Sequence, residues 1–381
     1  MQKLPLEGIR VVELGSSLAG PFAALILSQL GAEVFKVESP EGDAMRRWGA
    51  AEVGGTSASF ETFNRGKRSL AVDFNDAAAV DGLRTFIGAG AHAVLQNLRP
   101  GAADRFGLGA KRLRADNPAL VYCNLGAFGE QGPLRDLPGY DPLMQAFSGI
   151  IATTGELDRD PVRVGVSMID MSTGMWGAVG ILALLVRRMT TGVGGVVDGS
   201  LFESSLGWLS MNFGTLQVEG ALPERGGLQG PLVSPNGGFH TKDGIVMVVA
   251  GTDAQFVRMC GALGLEGLAN DPRFATNNDR VTNKVALRVA MEKQLASSSR
   301  AYWVSRLNDA NVPCAPLQDL KEASEHPQTD AMGMVQTRPD GAFSVLGFPL
   351  RVDGMRPPYE HRAPTLGEHN SVLVSENPPT Q

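Results

Sequence analysis

The 381-residue chain carries a net charge of −6, with 43% hydrophobic and 19% charged residues. This balance argues against a surface for nucleic acid or an anionic membrane, although it leaves room for a local basic pocket that binds a phosphorylated ligand. The length predicts one large core with a smaller domain, or two domains of comparable size.

The positions of the cysteines and histidines exclude further classes of protein. Cys123, Cys260 and Cys314 are isolated, without a CxxC pair, which is typical of a reduced, cytoplasmic protein. The N-terminus shows no export signal. The five histidines lack metal-ligand spacing, so we expect no metal site. The sequence contains no GxSxG motif, so nothing in it indicates a serine hydrolase.

The chain opens with a β-α-β pattern, which predicts a parallel sheet. Residues 15–21 join the first strand to the first helix, and they lack the GxGxxG motif of dinucleotide-binding proteins. Gly20 would let backbone approach a ligand, and the amides around Leu18 and Ala19 can hold an oxyanion. A simple tight turn fits the same residues equally well.

The β-α alternation continues, and two arginines follow a later strand. Arg99 and Arg105 lie in the predicted loop 97–109, where ligands of open α/β sheets bind. A guanidinium can engage two phosphate oxygens at once, although loop arginines are often only solvated. Further on, Tyr140 and Asp141 precede a predicted helix, where Asp141 is compatible with a simple cap.

Asp170 precedes a long apolar helix that extends to a stop signal at Gly192. Asp170 or Ser172 can cap this helix. The helix dipole would favour the ionised form of Asp170, so this carboxylate can serve as a nucleophile without an activating base. A structural cap is the alternative. The helix is short for a bilayer and rich in glycine, which indicates a buried core helix.

The second half of the chain changes in composition. The TGVGG run predicts a turn, followed by one helix over residues 200–220. A Gly- and Pro-rich linker starts at Ala221, and a β-hairpin and three helices follow. We therefore predict an N-terminal domain over 1–220, a small domain over 221–330 and a returning C-terminal segment over 331–381.

Six segments, in order and with natural spacings, resemble the class III coenzyme A-transferase family, of the CaiB/BaiF type. They are LPLEGIRVVELGSSLAGPFAALILSQLGAEVFKVESPEGD, NRGKRSLAVDF, NLRPGAADRFGLG, GYDPL, DMSTGMWG and APTLGEHN. The resemblance implies an α/β fold, with a Rossmann-like large domain on a parallel sheet, a smaller α+β domain, and an interlocked homodimer. It also places the family's nucleophilic aspartate on Asp170.

The implied reaction moves CoA from an acyl-CoA donor to a small carboxylic acid through an aspartyl anhydride and an aspartyl-CoA thioester. Succinyl-CoA with a dicarboxylate acceptor is the favoured pair. The CoA thioester is a substrate, and no permanently bound cofactor and no metal are implied.

The family's CoA contacts carry over by position, with Arg105 as the implied phosphate partner and Tyr140 and Asp141 in the substrate pocket. Ser39 and Asn75 stand where some relatives have cations, which shifts those contacts toward Arg99. Residues 230–236 replace the glycine-run loop of formyl-CoA transferases, which disfavours formate and oxalate. The implied CoA contacts are Leu18, Ala19, Ser39, Val72 through Asn75, Asn97, Leu98, Arg99, Ala102 and Arg105.

Two alternatives remain at this point. α-Methylacyl-CoA racemases share the fold and the aspartate, but they use a histidine where this chain has Tyr140, and a phenol is a poor base near neutral pH. A non-catalytic CoA-binding protein is disfavoured because Asp170 is retained in its context.

Overall fold

A computed structural model describes residues 3–222 and 224–375. The last six residues of the predicted C-terminal segment, 376–381, lie outside the described residues. The chain divides into two compact units. The first unit contains the residues up to Ser148, Gly165–Ser210 and the residues from Pro327 onward, and the second contains Gly149–Val164 and Met211–His326.

This division differs in detail from the one drawn from sequence. Residues 149–164 and 211–220, assigned above to the N-terminal domain, lie in the second unit, while residues 327–330 lie in the first. The boundaries of independently folding domains stay a prediction.

The strands of the described residues are β1 (Arg10–Leu14), β2 (Glu33–Glu38), β3 (Glu52–Val53), β4 (Thr56–Ser57), β5 (Arg68–Ala71), β6 (Ala93–Gln96), β7 (Val121–Gly126), β8 (Gly195–Ser200), β9 (Asn236–His240), β10 (Ile245–Val249), β11 (Cys314–Pro316), β12 (Val335–Thr337) and β13 (Ser344–Leu346).

The α-helices of the described residues are α1 (Ala19–Gln29), α2 (Ala58–Asn64), α3 (Ala77–Gly90), α4 (Ala102–Arg105), α5 (Ala110–Asp116), α6 (Asp141–Ser148), α7 (Met168–Thr191), α8 (Leu201–Trp208), α9 (Ser210–Glu219), α10 (Asp253–Leu263), α11 (Glu266–Ala269), α12 (Asn277–Thr282), α13 (Lys284–Leu295), α14 (Arg300–Asp309), α15 (Leu320–Ser324), α16 (Pro327–Ala331) and α17 (Ser371–Ser375).

The first unit is built on a six-stranded, all-parallel sheet in the order β5-β2-β1-β6-β7-β8. The strand order reverses between β1 and β6. Neighbouring residues of β1 point to opposite faces: Val11 packs in one hydrophobic cluster and Val12 in the other. Because helices cover both faces, the strands are apolar nearly throughout. The predicted α/β class with a parallel sheet is confirmed.

Strand β8 was missed from the sequence. Residues 192–194 do form the predicted turn, but Gly195 then pairs with Val121 and starts an edge strand. β8 contains two valines, but two glycines and an aspartate surround them, so its strand signal is short and weak. The single helix predicted over 200–220 is instead two helices, α8 and α9.

The C-terminal tail covers the other edge of the sheet. The His369 amide donates to the Ser69 carbonyl (3.0 Å), and the Ala71 amide donates to the Asn370 side-chain oxygen (2.8 Å). The Asn370 side chain also donates to the Ala71 carbonyl at 3.2 Å. These bonds pair backbone groups of β5 that an open edge would leave exposed.

The second unit has its own core around a three-stranded antiparallel sheet in the order β11-β10-β9. The predicted hairpin is confirmed as β9 and β10. Arg280 is fully buried there and donates to the Ser234 carbonyl and the Asp253 carboxylate, both at 2.8 Å. The core of this unit includes Phe239, Val246, Phe256, Leu287 and Trp303.

Helix α7 has the length and composition of a membrane-spanning helix, but a core helix passes the same test. Three glycines explain how it packs within the first unit. A Cβ on Gly174 would lie 2.7 Å from the Ala19 carbonyl oxygen of α1, and a Cβ on Gly180 would lie 2.6 Å from a Val197 methyl of β8. Gly177 similarly contacts Leu125 of β7. The interpretation as a core helix fits these contacts.

Replacement of Gly174 by alanine should destabilise the protein. The new methyl would lie 2.7 Å from the Ala19 carbonyl oxygen and 3.1 Å from the Ala23 amide nitrogen, which are backbone atoms of a packed helix. We expect a loss of about 1–3 kcal/mol in the free energy of unfolding, measured by denaturant titration. Gly88→Ala in α3 is the control, because nothing lies within 4 Å of its Cβ position. Equal stability of the two variants would contradict this packing.

Candidate active site

The predicted CoA contacts lie at one edge of the parallel sheet. Ser39 follows β2, Leu18 and Ala19 follow β1, and the segments 72–75 and 97–105 follow β5 and β6. These four strands are adjacent, and β1 and β6 flank the point where the strand order reverses. The carboxyl edge at such a point is where open α/β sheets bind ligands.

The turn after β1 is bound to the loop after β6 by one side chain. The Asn97 carboxamide oxygen accepts from the Ser16 amide, and its nitrogen donates to the Ser16 carbonyl, both at 2.9 Å. A Cβ on Gly20 would lie 2.9 Å from the Asn97 oxygen. The glycine therefore makes room for Asn97, whereas the sequence suggested that it makes room for a ligand.

The same turn leaves backbone donors free at the start of α1. Ser17 has a φ of 62°, a conformation unusual for a residue with a side chain. Leu18 occupies the N-cap position without a side-chain cap. No acceptor for the Leu18 and Ala19 amides occurs among residues 3–222 and 224–375. These donors and the positive end of α1 can stabilise an oxyanion.

Asp170 lies inside its helix rather than at the cap. Helix α7 begins at Met168 with Ser167 as N-cap, so Asp170 is its third residue. The sequence placed the start at Asp170 or Ser172, and this was wrong because another helix supplies the cap. The Asp141 carboxylate accepts from the Ile169 amide at 2.7 Å and from the Asp170 amide at 3.2 Å.

Asp141, the first residue of α6, thus caps helix α7 and binds the backbone amide of Asp170. It is buried, with 4% of its surface exposed, and its other oxygen accepts from the Gln145 side chain at 2.6 Å. Both oxygens are held by these donors. Its neighbour Tyr140 is 60% exposed, and the Tyr140 carbonyl accepts the first amides of α6.

Burial raises the pKa of Asp170 to about 7, and the nearby Asp141 carboxylate contributes to the increase. The sequence predicted the opposite direction from the helix dipole. Dipole stabilisation amounts to about 0.3–1 kcal/mol at exposed sites, less than the cost of desolvating a half-buried carboxylate beside a like charge. Ionising Asp170 therefore requires a higher pH than ionising an exposed aspartate.

Packing of α7 on α1 brings Asp170 to the turn. Asp170 and Gly174 lie on one face of α7 because they are four residues apart, and Gly174 contacts Ala19 and Ala23. Met171 packs against the buried cluster that includes Leu18. The first turn of α7, which contains Asp170, therefore packs near the amino end of α1.

Arg99 and Arg105 follow β6 at the carboxyl edge of the sheet, and both side chains are exposed. Within the described part of the chain, neither guanidinium has a hydrogen bond or an ion pair with a side chain. Arg99 lines a cavity of about 510 Å³ together with Lys111 and Arg135, whereas Arg105, at the end of α4, is not among its lining residues. The two arginines therefore lie at different parts of this edge.

The remaining residues predicted to contact CoA have mainly backbone groups available for hydrogen bonds. The side chains of Val72 and Ala102 are buried. Ser39 is half-buried and Leu98 packs against the core. Asn75 is exposed and its side chain donates to Asp73 at 3.1 Å.

Sequence reasoning missed a group of buried charges beneath the turn, centred on Glu13, Lys36 and Lys67. A signal was present, because Lys36 interrupts the otherwise apolar core of strand EVFKVE. A charged residue in a buried strand must be paired. As for metals, the described residues contain no group of three or more potential ligands.

A half-buried carboxylate beside two unpaired amides suits covalent group transfer, in which the carboxylate attacks a carbonyl carbon and the amides hold the oxyanion.

Comparison with known proteins identifies the family. The model of CoA-transferase family III matches residues 6–370. The acetyl-CoA:oxalate CoA-transferase of Acetobacter aceti is 36% identical over 98% of this chain and 96% of its own length. The succinate–glutarate CoA-transferase of Agrobacterium fabrum is 33% identical over the same shares. The crystal structure of a CaiB/BaiF family protein from Brucella suis has a TM-score of 0.87 at 36% identity and covers 98% of this chain and 100% of that one.

The chain belongs to CoA-transferase family III. The resemblance recognised in the sequence is confirmed, and the protein is an enzyme of this family.

Replacement of Asp141 by asparagine should lower the pKa of Asp170. Asparagine keeps an acceptor oxygen for the α7 amides but removes the like charge, while burial persists. A role of ionised Asp170 as the nucleophile predicts that kcat/KM rises with pH through about 7 in the wild type and at lower pH in Asp141→Asn. Asp81→Asn, on an exposed face of α3, is the control. An unchanged or higher midpoint in Asp141→Asn would contradict the electrostatic role.

Proposed function

We propose that this enzyme transfers CoA from succinyl-CoA to a small dicarboxylic acid, with Asp170 as the covalent nucleophile. The half-buried Asp170 carboxylate beside the free Leu18 and Ala19 amides carries the proposal. The names of relatives support the donor: the Agrobacterium fabrum enzyme is named for succinate and glutarate, and the human relative, 32% identical over 98% of this chain, is a succinyl-CoA:glutarate CoA-transferase.

In the first half-reaction an Asp170 oxygen attacks the thioester carbonyl carbon of succinyl-CoA. The C–S bond breaks, CoA leaves as the thiolate, and an aspartyl–succinyl anhydride remains. The thiolate then attacks the aspartyl carbonyl and releases succinate, which forms an aspartyl-CoA thioester. The amides of Leu18 and Ala19 would hold the negative oxygen of each tetrahedral intermediate.

The second half-reaction is the reverse with another acid. The acceptor carboxylate attacks the aspartyl carbonyl, the thiolate leaves again, and a new mixed anhydride forms. The thiolate finally attacks the acceptor's carbonyl carbon, which yields the new CoA ester and regenerates ionised Asp170. One thioester is exchanged for another, so no net proton, electron or water is needed.

The nucleotide end of CoA would bind along the carboxyl edge. The backbone of residues 72–75 and 97–102 supplies hydrogen-bonding groups, and Arg99 and Arg105 supply cations without protein partners among the described residues. We assign Arg105 to phosphate. Binding energy gained there, far from the reacting carbon, would help to orient the thioester.

The acceptor is a small dicarboxylate in this proposal, with glutarate as the first candidate because two relatives are named for it. Oxalate was disfavoured by the sequence of residues 230–236. The Acetobacter aceti relative is nevertheless named for oxalate at 36% identity, so oxalate belongs in the test panel.

We further propose an interlocked homodimer with a Rossmann-like large domain, acting in the cytoplasm. The dimer is supported by apolar side chains on the outer face of α7, with Trp176 62%, Val186 61% and Met189 82% exposed. Such a patch on one helix is typical of a surface that a partner covers. The three cysteines are all free thiols, which suits a reducing compartment.

Asp170→Ala should abolish transfer while the protein stays folded. The wild type, mixed with succinyl-CoA and hydroxylamine, should yield a hydroxamate on the peptide containing Asp170, detected by mass spectrometry. A panel of acids including glutarate and oxalate, screened for new CoA esters, names the acceptor. Asp330→Ala, at an exposed position, is the control. Normal turnover by Asp170→Ala would refute the mechanism, and α-proton exchange without any adduct would favour racemisation.

Arg105→Ala should weaken binding of the CoA ester. Loss of a charge-assisted bond of about 1.5–3 kcal/mol predicts a Kd that is roughly 10- to 100-fold higher, with a weaker salt dependence. Isothermal titration with CoA measures both. Arg112→Ala on α5 is the matched control, because Arg112 is an exposed arginine whose carboxylate partner, Asp116, is 3.7 Å away. Unchanged affinity in Arg105→Ala would move the phosphate contact to Arg99.

A further inference from the structure

Four charged side chains are buried directly beneath the turn that joins β1 to α1. Glu13 and Lys36 are completely buried, and Lys67 and Asp43 are 4% and 5% exposed. Removing a charge from water costs several kcal/mol even after relaxation, so such a group persists only where its partners are well placed.

The four residues form one ion-pair network. The Glu13 carboxylate binds both lysines, with Lys36 Nζ at 3.1 Å and Lys67 Nζ at 2.8 Å. Lys36 Nζ also lies 2.9 Å from the Asp43 carboxylate. Two carboxylates thus balance two ammonium groups, and no net charge is buried.

The same residues also bind the backbone of the turn on both sides of Leu18 and Ala19. Lys36 Nζ donates to the Gly15 carbonyl at 2.8 Å, and Lys67 Nζ donates to the Pro21 carbonyl at 2.8 Å. Between these points, the Asp43 carboxylate accepts from the Ser17 amide at 3.3 Å. Three of the four charged side chains therefore bind backbone atoms of residues 15–21: Lys36 at Gly15, Asp43 at Ser17 and Lys67 at Pro21.

Lys67 is the member of the network that is most easily perturbed. Its three ammonium protons have three acceptors: Glu13, the Pro21 carbonyl and the Asn64 side-chain oxygen at 2.9 Å. Burial lowers the pKa of Lys67 to about 8, although Glu13 opposes this decrease. By contrast, the Glu13, Asp43 and Glu38 carboxylates raise the pKa of Lys36 despite burial.

We propose that Glu13, Lys36, Asp43 and Lys67 are positioning residues for CoA transfer, which hold the Leu18 and Ala19 amides at the place where the oxyanion forms. This inference rests on the proposed function. The four groups do not touch substrate, and they act through the backbone of the turn. Apolar side chains of similar volume often stabilise a core as well as a buried ion pair does, but they could not bind the Gly15 and Pro21 carbonyls.

The inference predicts a selective loss in Lys67→Met, which keeps the length of the side chain but removes its donors. Misplacing the turn should lower kcat, and the rate of Asp170 adduct formation in a single turnover, by about 10- to 100-fold, while KM for succinyl-CoA changes by less than about 3-fold. Hydrogen exchange at residues 15–21 should accelerate.

Arg280→Met is the matched control. Arg280 is another fully buried cation that donates to a carbonyl and a carboxylate, but it lies in the second unit. The Arg280→Met variant should be less stable than the wild type. Its hydrogen exchange should not accelerate selectively at residues 15–21, and its kcat should not fall selectively. If both variants lose activity and local protection alike, the network is merely structural and the proposal is overturned.

Asn64→Ala is the milder second variant, since it removes one of three acceptors of Lys67 and keeps all four charges. We expect a smaller decrease in kcat, about 3- to 10-fold, with faster exchange at residues 15–21. If kcat and exchange both match the wild type, the proposal fails even where Lys67→Met does not fold. Wild-type enzyme that forms no adduct would instead refute the proposed function, and the exchange measurement would still report on the turn.

Discussion

Helix α7 can lie directly on helix α1 only because Gly174 has no side chain, and the arrangement of the site follows from this contact. The absent Cβ allows the Ala19 carbonyl to approach the α7 backbone. Because Gly174 contacts Ala19, the start of α7, which contains Asp170, packs near the start of α1. The positive ends of two helices therefore lie in the region of Asp170.

The fold was largely predictable because its signals are local. Apolar runs such as GIRVVEL and the turn residues after them predicted most strands of the parallel sheet. Strand β8 was missed because its two valines are flanked by Gly195, Asp198 and Gly199, which disfavour strands, and its pairing depends on the open edge that β7 offers. Its stability is a tertiary effect.

The site was predictable where a residue type carries the chemistry, and not where a distant partner sets its properties. Asp170 was singled out as a candidate from its place at the start of an apolar helix, and the family resemblance assigned it the role of nucleophile, which stays a prediction. The direction of its pKa shift depends on burial and on Asp141, which is 29 residues away in sequence. The pairing of Lys36 with Glu13 and of Lys67 with the Pro21 carbonyl likewise joins separate strands and loops. No local pattern specifies such contacts.

In the mechanism proposed above, Asp170 is first a nucleophile and later a leaving group, and its raised pKa favours the first role over the second. A more basic carboxylate attacks a carbonyl more readily, whereas protonation removes part of the attacking form at neutral pH. The half-buried charge is costly before attack and disappears once the anhydride or the thioester forms, so the environment that penalises free Asp170 favours its acylated states. The cost returns when ionised Asp170 is regenerated. Because the donor and acceptor half-reactions cross the same intermediate, this effect cancels over the cycle and leaves the energies of donor and acceptor thioesters to decide the direction of transfer.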